Sequence, residues 1–137
     1  MAHLSAMEAV LTAVYTALNV AGMTALCSVH NGVPQSTTFP YLRTGDAVER
    51  REDCMGAPGK AVIVRLHVFS QSRSDLESSR IISKAVELLH YSALTVSGHT
   101  LIASQYQQTF DAGTENVGAI ETRHKVAEFE ITVRQTP

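Results

Sequence analysis

Residues 60 to 70 alternate with period two. Val62, Val64, Leu66 and Val68 fall on one face, and Ile63, Arg65, His67 and Phe69 on the other. Successive strand side chains point to opposite faces, so the stretch predicts a sheet strand with one dry and one mixed face. Ser74-Asp75-Leu76-Glu77 follows and reads as a capping box. In that motif the Ser74 hydroxyl accepts from the Glu77 N–H, and the Glu77 carboxylate accepts from the Ser74 N–H. The helix behind it puts Ile81, Ile82, Ala85, Val86, Leu88 and Leu89 on one stripe, with Arg80, Ser83, Lys84 and Glu87 opposite. A strand with a dry face beside such a helix is half of a two-layer core.

The cleanest alternation lies at about 119 to 134. There Ala127, Phe129, Ile131 and Val133 face one way and Glu128, Glu130, Thr132 and Arg134 the other. One polar and one dry face predicts an antiparallel strand. Residues 3 to 18 predict a helix with Leu4, Met7, Leu11, Val14, Tyr15 and Leu18 on its stripe, ended by Gly22. Residues 23 to 30 predict a brief strand or an irregular connection, and Asn31-Gly32-Val33-Pro34 a turn. Thr38 to Arg50 predicts another strand, with Pro40 near its start or on an edge because proline cannot donate to a ladder. Residues 51 to 59 read as a loop. Leu94 and Val96, then Leu101, Ala103 and Gln105, predict a hairpin turning at Gly98, with its second strand running to Phe110. Residues 111 to 118 read as a second long loop. Together the elements predict an α+β fold, a mostly antiparallel sheet with two helices packed on one face. At 137 residues the chain is expected to form one domain, 1–137.

Charge and chemistry narrow the function. The net charge is -2, from 11 basic and 13 acidic residues, with no long run of either sign. That argues against a nucleic-acid module, which shows a basic face. No apolar run approaches the roughly 20 residues of a membrane span, and no secretion signal is expected at the N-terminus. Two cysteines, Cys27 and Cys54, are too few for a disulfide framework and suit a reduced cytosolic protein. Cys27 and His30 form only half of a zinc site, and His67, His99 and His124 lie elsewhere along the chain. His67 reads as a partly buried, hydrogen-bonded side chain and His99 as a turn residue. Cys54 sits near Arg50 and Arg51 but has no placed His partner. No serine lies in G-x-S-x-G, and no glycine-rich phosphate cradle is present. Glu128 and Glu130 share one strand face, which solvation explains. No catalytic residue, metal ligand or cofactor is therefore assigned.

The N-terminal helix adds an observation of another kind. Its second side carries Ala2, Ala6, Ala9, Ala13 and Ala17, and Glu8 is the only ionised side chain between Met1 and Arg43. A helix apolar most of the way round is usually buried on more than one side, which suggests a subunit contact at Ala6, Ala9, Ala13 and Ala17. Alanine's high helix propensity explains the same residues without one.

In order and spacing these pieces resemble the tail-completion, or tail-terminator, family of tailed bacteriophages and related gene transfer particles. Gly32-Val33-Pro34-Gln35 and Phe39-Pro40-Tyr41 are similar to the family's "GVPQ … PY" opening, and Leu66-His67-Val68-Phe69-Ser70 to its "L-x-V-W-S" strand. Leu94-Thr95-Val96-Ser97-Gly98-His99 resembles its "L-x-L-x-G-H" piece, and the chain closes on a strand like Glu128-Phe129-Glu130-Ile131. The likeness covers about residues 4 to 134. Phe69 departs from the usual Trp, and 111 to 118 is longer than a tight Asp-Gly turn. The resemblance implies a non-enzymatic virion protein, assembled in the host cytoplasm. It implies a homo-oligomeric, commonly hexameric, ring at the head-proximal end of the tail tube. Its implied partners are the tail tube protein and the head or neck connector proteins, with no membrane and with DNA only passing through the lumen. The loops 46 to 59 and 111 to 118 are the expected contacts: Arg50, Arg51, Glu52 and Asp53 in the first, Asp111, Glu115 and Asn116 in the second. The alternatives are an adaptor or stopper of the same neck and, from another class, a small enzyme using Cys54 or a histidine cluster.

Overall fold

A computed structural model of the protein describes residues 4–32, 38–53, 56–72, 74–117 and 120–136; of 115–117 and 120 it describes the backbone alone. The elements are α1 (Met7–Leu18), α2 (Ala21–Thr24), β1 (Ser28–His30), β2 (Tyr41–Arg51), β3 (Gly59–Ser70), α3 (Leu76–Leu89), β4 (His99–Val117) and β5 (Ile120–Gln135). One sheet has the strand order β1-β2-β3-β5-β4. The β1–β2 pairing is parallel and the other three are antiparallel. The expected α+β fold is present, with three helices among the described residues rather than two, because α2 adds a turn after Asn19 has ended α1. Gly22 lies inside that turn rather than ending the helical region.

The alternation read in β3 and β5 builds the core. Val62 pairs with Ile131, Val64 with Phe129 and Leu66 with Ala127, all fully buried on one face. Ile81, Ile82, Ala85 and Leu89 of α3 pack into the same cluster, as do Val10, Val14 and Leu18 of α1. The α1 stripe is rotated from the expected one. Ala6 and Ala13 are buried, Leu4 is 54% exposed, and Met7, Leu11 and Tyr15 are half-buried. Small side chains at 6 and 13 let the helix backbone approach the sheet closely.

The helix starts are set by tertiary partners. The Glu49 carboxylate of β2 accepts from the Ala6 N–H at 3.0 Å and from the Ser5 hydroxyl at 2.8 Å, and the Leu4 N–H donates to Gln135 Oε1 at 2.9 Å. A carboxylate at a helix N-terminus also meets the positive end of the dipole. The expected capping box at α3 does not form. Ser70 is fully buried at the end of β3, and its hydroxyl donates to Glu77 at 2.6 Å. A buried hydroxyl needs a partner, and Glu77 meets that need instead of the local cap.

Two expectations around β4 change. Residues 92–96 form no strand, so there is no hairpin at Gly98. Leu94 and Val96 are buried nonetheless, and Gly98 turns the chain into β4 with φ of +72°. Residues 111–117 are strand rather than loop. Gly113, at φ of +113°, sits at a bulge, and the Asp111 carboxylate accepts from its N–H at 3.0 Å. A bulge absorbs the extra residue and the ladder continues to Val117 opposite Ile120.

Phe129 is fully buried between the layers. Phe129→Ala should lower unfolding free energy by about 3–5 kcal/mol, read by urea denaturation; a change under about 1 kcal/mol would mean that this site repacks freely.

Candidate interaction surfaces

The register places the two expected contact segments at opposite ends of the sheet. At one end Arg51 pairs with Lys60, Gly59 with Arg134 and His99 with Gln135. At the other end Tyr41 pairs with Phe69, Ser70 with Arg123 and Arg123 with Thr114. Beyond Ser70 the β4–β5 pair continues as a two-stranded ribbon, through Glu115–Thr122 and Asn116–Glu121 to Val117–Ile120.

The first end is built from β2 and the short connection to β3. Arg50 and Arg51 end β2 rather than lying in a loop. Arg50 pairs with Glu52 at 3.4 Å and with Glu130 at 3.5 Å, with about half its side chain exposed. Arg51 pairs with Asp53, and the Asp53 carboxylate also accepts from the Gly59 N–H at 3.0 Å. That backbone donor, and then Arg51, hold the Asp53 carboxyl below the usual carboxylate range. Gly59 has no room for a side chain, since a Cβ there would collide with the Glu52 carbonyl oxygen. The connection is thereby held close to the sheet. Cys54 lies outside the described residues. At the second end Asp111 is exposed and serves the bulge, while Glu115 and Asn116 lie in the ribbon.

Along the flank, α1 and residues 92–99 enclose an open groove of about 880 Å³. Ala9, Thr12, Ala13 and Thr16 line one wall, and Ala93, Leu94, Gly98 and His99 line the other. Of the four alanines singled out in the sequence, Ala6 and Ala13 belong to the chain's own core, and Ala9 and Ala17 are half-buried against it. His99 opens β4, and its Nδ1 lies 2.9 Å from the Ser97 carbonyl oxygen.

Among the described residues no helix covers the other sheet face. Arg65 Nε donates to Glu128 at 2.9 Å, and Gln108 donates to the same carboxylate. The Gln108 amide first, then Arg65, hold Glu128 below the usual range. Tyr41 stacks on Phe69 at 4.8 Å, and Phe69 on His124 at 4.3 Å. His67, expected to be partly buried and hydrogen-bonded, is buried and contacts Asp46 and His124 there. No sequence signal joins those three residues; only the strand register does. Val48, Ile102 and Phe110 add exposed apolar surface.

Among the described residues no group of three or more His, Cys, Asp or Glu side chains is placed to hold a metal ion. Cys27 is in the core, where burial and then Glu77 push its thiol up to about 11, so it stays protonated at neutral pH. His30, its sequence neighbour in the half-site, packs edge-on against Tyr41 instead.

The chain is thus a two-layer α+β fold with candidate contact surfaces at both sheet ends and along one helix. Residues 3–134 match the family of the tail completion protein gp17, and the chain belongs to that family. It is a structural protein of a phage-type virion tail, not an enzyme, and as such associates with other tail or head proteins. Among solved structures it is similar to a chain of the virion of a native gene transfer agent particle, at 17% identity and a TM-score of 0.81. That likeness, one of fold, covers 95% of this chain and 98% of the other. No curated protein matches the sequence.

Arg65→Ala leaves the 11%-exposed Glu128 carboxylate short of a partner. It should cost about 1–2 kcal/mol near neutral pH, because an under-satisfied buried acceptor carries its desolvation penalty. Glu128 has a lowered value in the fold, so its contribution is present above the ordinary Glu range and is lost as pH falls through the folded value. Urea denaturation at about pH 7 and about pH 3 should therefore show the variant's deficit shrinking in acid. A deficit unchanged between the two would contradict this role.

Proposed function

We propose that the protein is a tail terminator. Copies close into a ring, hexameric as the resemblance implies, at the head-proximal end of the tail tube. The ring ends tube polymerisation and joins the tail to the head or neck proteins, with DNA passing through its lumen. The observation that supports this reading is the placement of the Arg50–Asp53 segment and the β4–β5 ribbon at opposite ends of one sheet. A ring seated between tube and neck needs one surface on each side. It needs a third on its flank, because cyclic closure joins unlike patches of neighbouring copies. The nearly uncharged α1 groove is the candidate for part of that flank. Termination follows from matching the last tube ring with a surface that the terminator does not repeat on its far side. The protein assembles in the host cytoplasm and ends in the virion neck.

The ribbon can be shortened without cutting the sheet. Replacing residues 116–121 with Asn-Gly joins the paired Glu115 and Thr122 through a two-residue turn. The product should fold and yet fail to join tubes to heads, scored by electron microscopy of mixed tails and heads. Joining at the normal yield would remove the ribbon from the contact set.

Thr12 and Thr16 are exposed in the groove. Thr12→Arg with Thr16→Arg should change stability by only about 0.5 kcal/mol per site, as exposed helix substitutions do. The same variant should lose any ring-sized species in light scattering. A full-sized ring in the double variant would place the subunit contact elsewhere.

A further inference from the structure

The open face of the sheet carries a hydrogen-bond chain that the assembly reading does not use. Its members come from three strands. Asp46 lies at the β2 bulge between Gly45 and Ala47, with φ of +40°. One of its carboxylate oxygens is 3.0 Å from His67 Nε2, and His67 Nδ1 is 2.8 Å from His124 Nε2. The His67 side chain is 7% exposed.

The proton positions follow from the partners. A carboxylate only accepts, so His67 Nε2 carries a hydrogen. In the neutral ring His67 Nδ1 is then a lone pair, and His124 Nε2 donates to it. The chain thus runs in one direction, from His124 through His67 to Asp46. A proton added at His67 Nδ1 turns two N–H groups toward each other at 2.8 Å, and the chain breaks there.

The surroundings oppose that proton on His67. Arg43 of β2 is the register partner of His67, and its guanidinium lies 5.8 Å from the Phe69 ring centre. His30 of β1 pairs with Arg43 in register. Arg65 follows on the same face of β3 and is matched by Glu128 of β5. From β4, Phe110 and Gly113 pair with Val126 and His124 and bring no charge. Desolvation first, then Arg43, hold His67 below the ordinary histidine value, against the pull of Asp46. Asp46 meanwhile occupies a left-handed conformation that a non-glycine residue keeps only when its surroundings hold it.

We propose that Asp46, His67 and His124 form a proton-sensitive latch, which ties the β2 bulge to β3 and β5 and opens when a proton enters at His67 Nδ1. Because His67 is held neutral in the fold, the unfolded chain binds more protons than the folded one below the ordinary histidine value of about 6.5. The latch's contribution is fully present above that value. It is lost as pH falls, by up to about tenfold in the unfolding constant per pH unit for one proton.

Nitrogen-resolved NMR of the histidine side chains in the full-length protein tests the latch directly. At about pH 7.5 the His67 ring should be the Nε2–H tautomer with Nδ1 accepting, and on acidification it should take its second proton below the ordinary histidine value. A Nδ1–H tautomer at His67, or a His67 titration at the ordinary value, would overturn it. His67→Gln supplies the second measurement. Between about pH 7.5 and pH 5 its unfolding constant should rise about tenfold less than that of the unsubstituted protein. Equal rises would overturn the latch as well, and if the variant does not fold, the tautomers decide.

Discussion

The pairing of β3 with β5 is the constraint on which the rest of the molecule depends. Its register runs without a shift from Gly59–Arg134 to Ser70–Arg123. Side chains alternate with period two, so a slip of one residue would carry Val62, Val64, Leu66 and Val68 to the open face. The same slip would drive Arg65 into the apolar layer. Hydrophobic burial on one side and the Arg65–Glu128–Gln108 set on the other therefore select a single pairing. The helices then cover the dry face, and β2 and β4 attach on either side.

Much of this was legible in the chain because the strongest patterns belong to the strands that carry the constraint. The alternation at 60–70 and 119–134, and the stripe of α3, each follow from burial on one side. What was not legible depends on distant partners. Glu77 has a capping-box position, but the buried Ser70 hydroxyl claims it. Leu94 and Val96 alternate like strand residues, yet they fill the core from an unpaired segment, and alternation alone does not report a ladder. Gly113 supplies positive φ equally well to a turn or to a bulge, so the residues alone do not distinguish a strand that ends there from one that bends. Among the candidate contacts, the low charge of α1 pointed to one wall of the groove, while the other wall, at 92–99, came into view only with the fold. The Asp46–His67–His124 chain joins residues that only the register brings together.

The same architecture sorts the surface into parts with different uses. The long edge strand β4 is interrupted by three register shifts, which bend and break the row of groups that strand addition would need. Association by simple edge pairing is thereby disfavoured, which leaves the sheet ends, the groove and the open face as candidate contact surfaces. The first end is held close to the sheet by Asp53 and Gly59, and the second projects as a ribbon. A component of a virion tail with one fixed and one projecting end is suited to sit between two dissimilar neighbours.

The central claim is ring closure coupled to the tube. The most direct measurement is mass by light scattering of the protein alone and mixed with the tail tube protein, with tube lengths counted in the same samples. The account predicts a ring-sized species in one of the samples and shortened, capped tubes in the mixture. A monomer that leaves tubes unchanged at high concentration would contradict it.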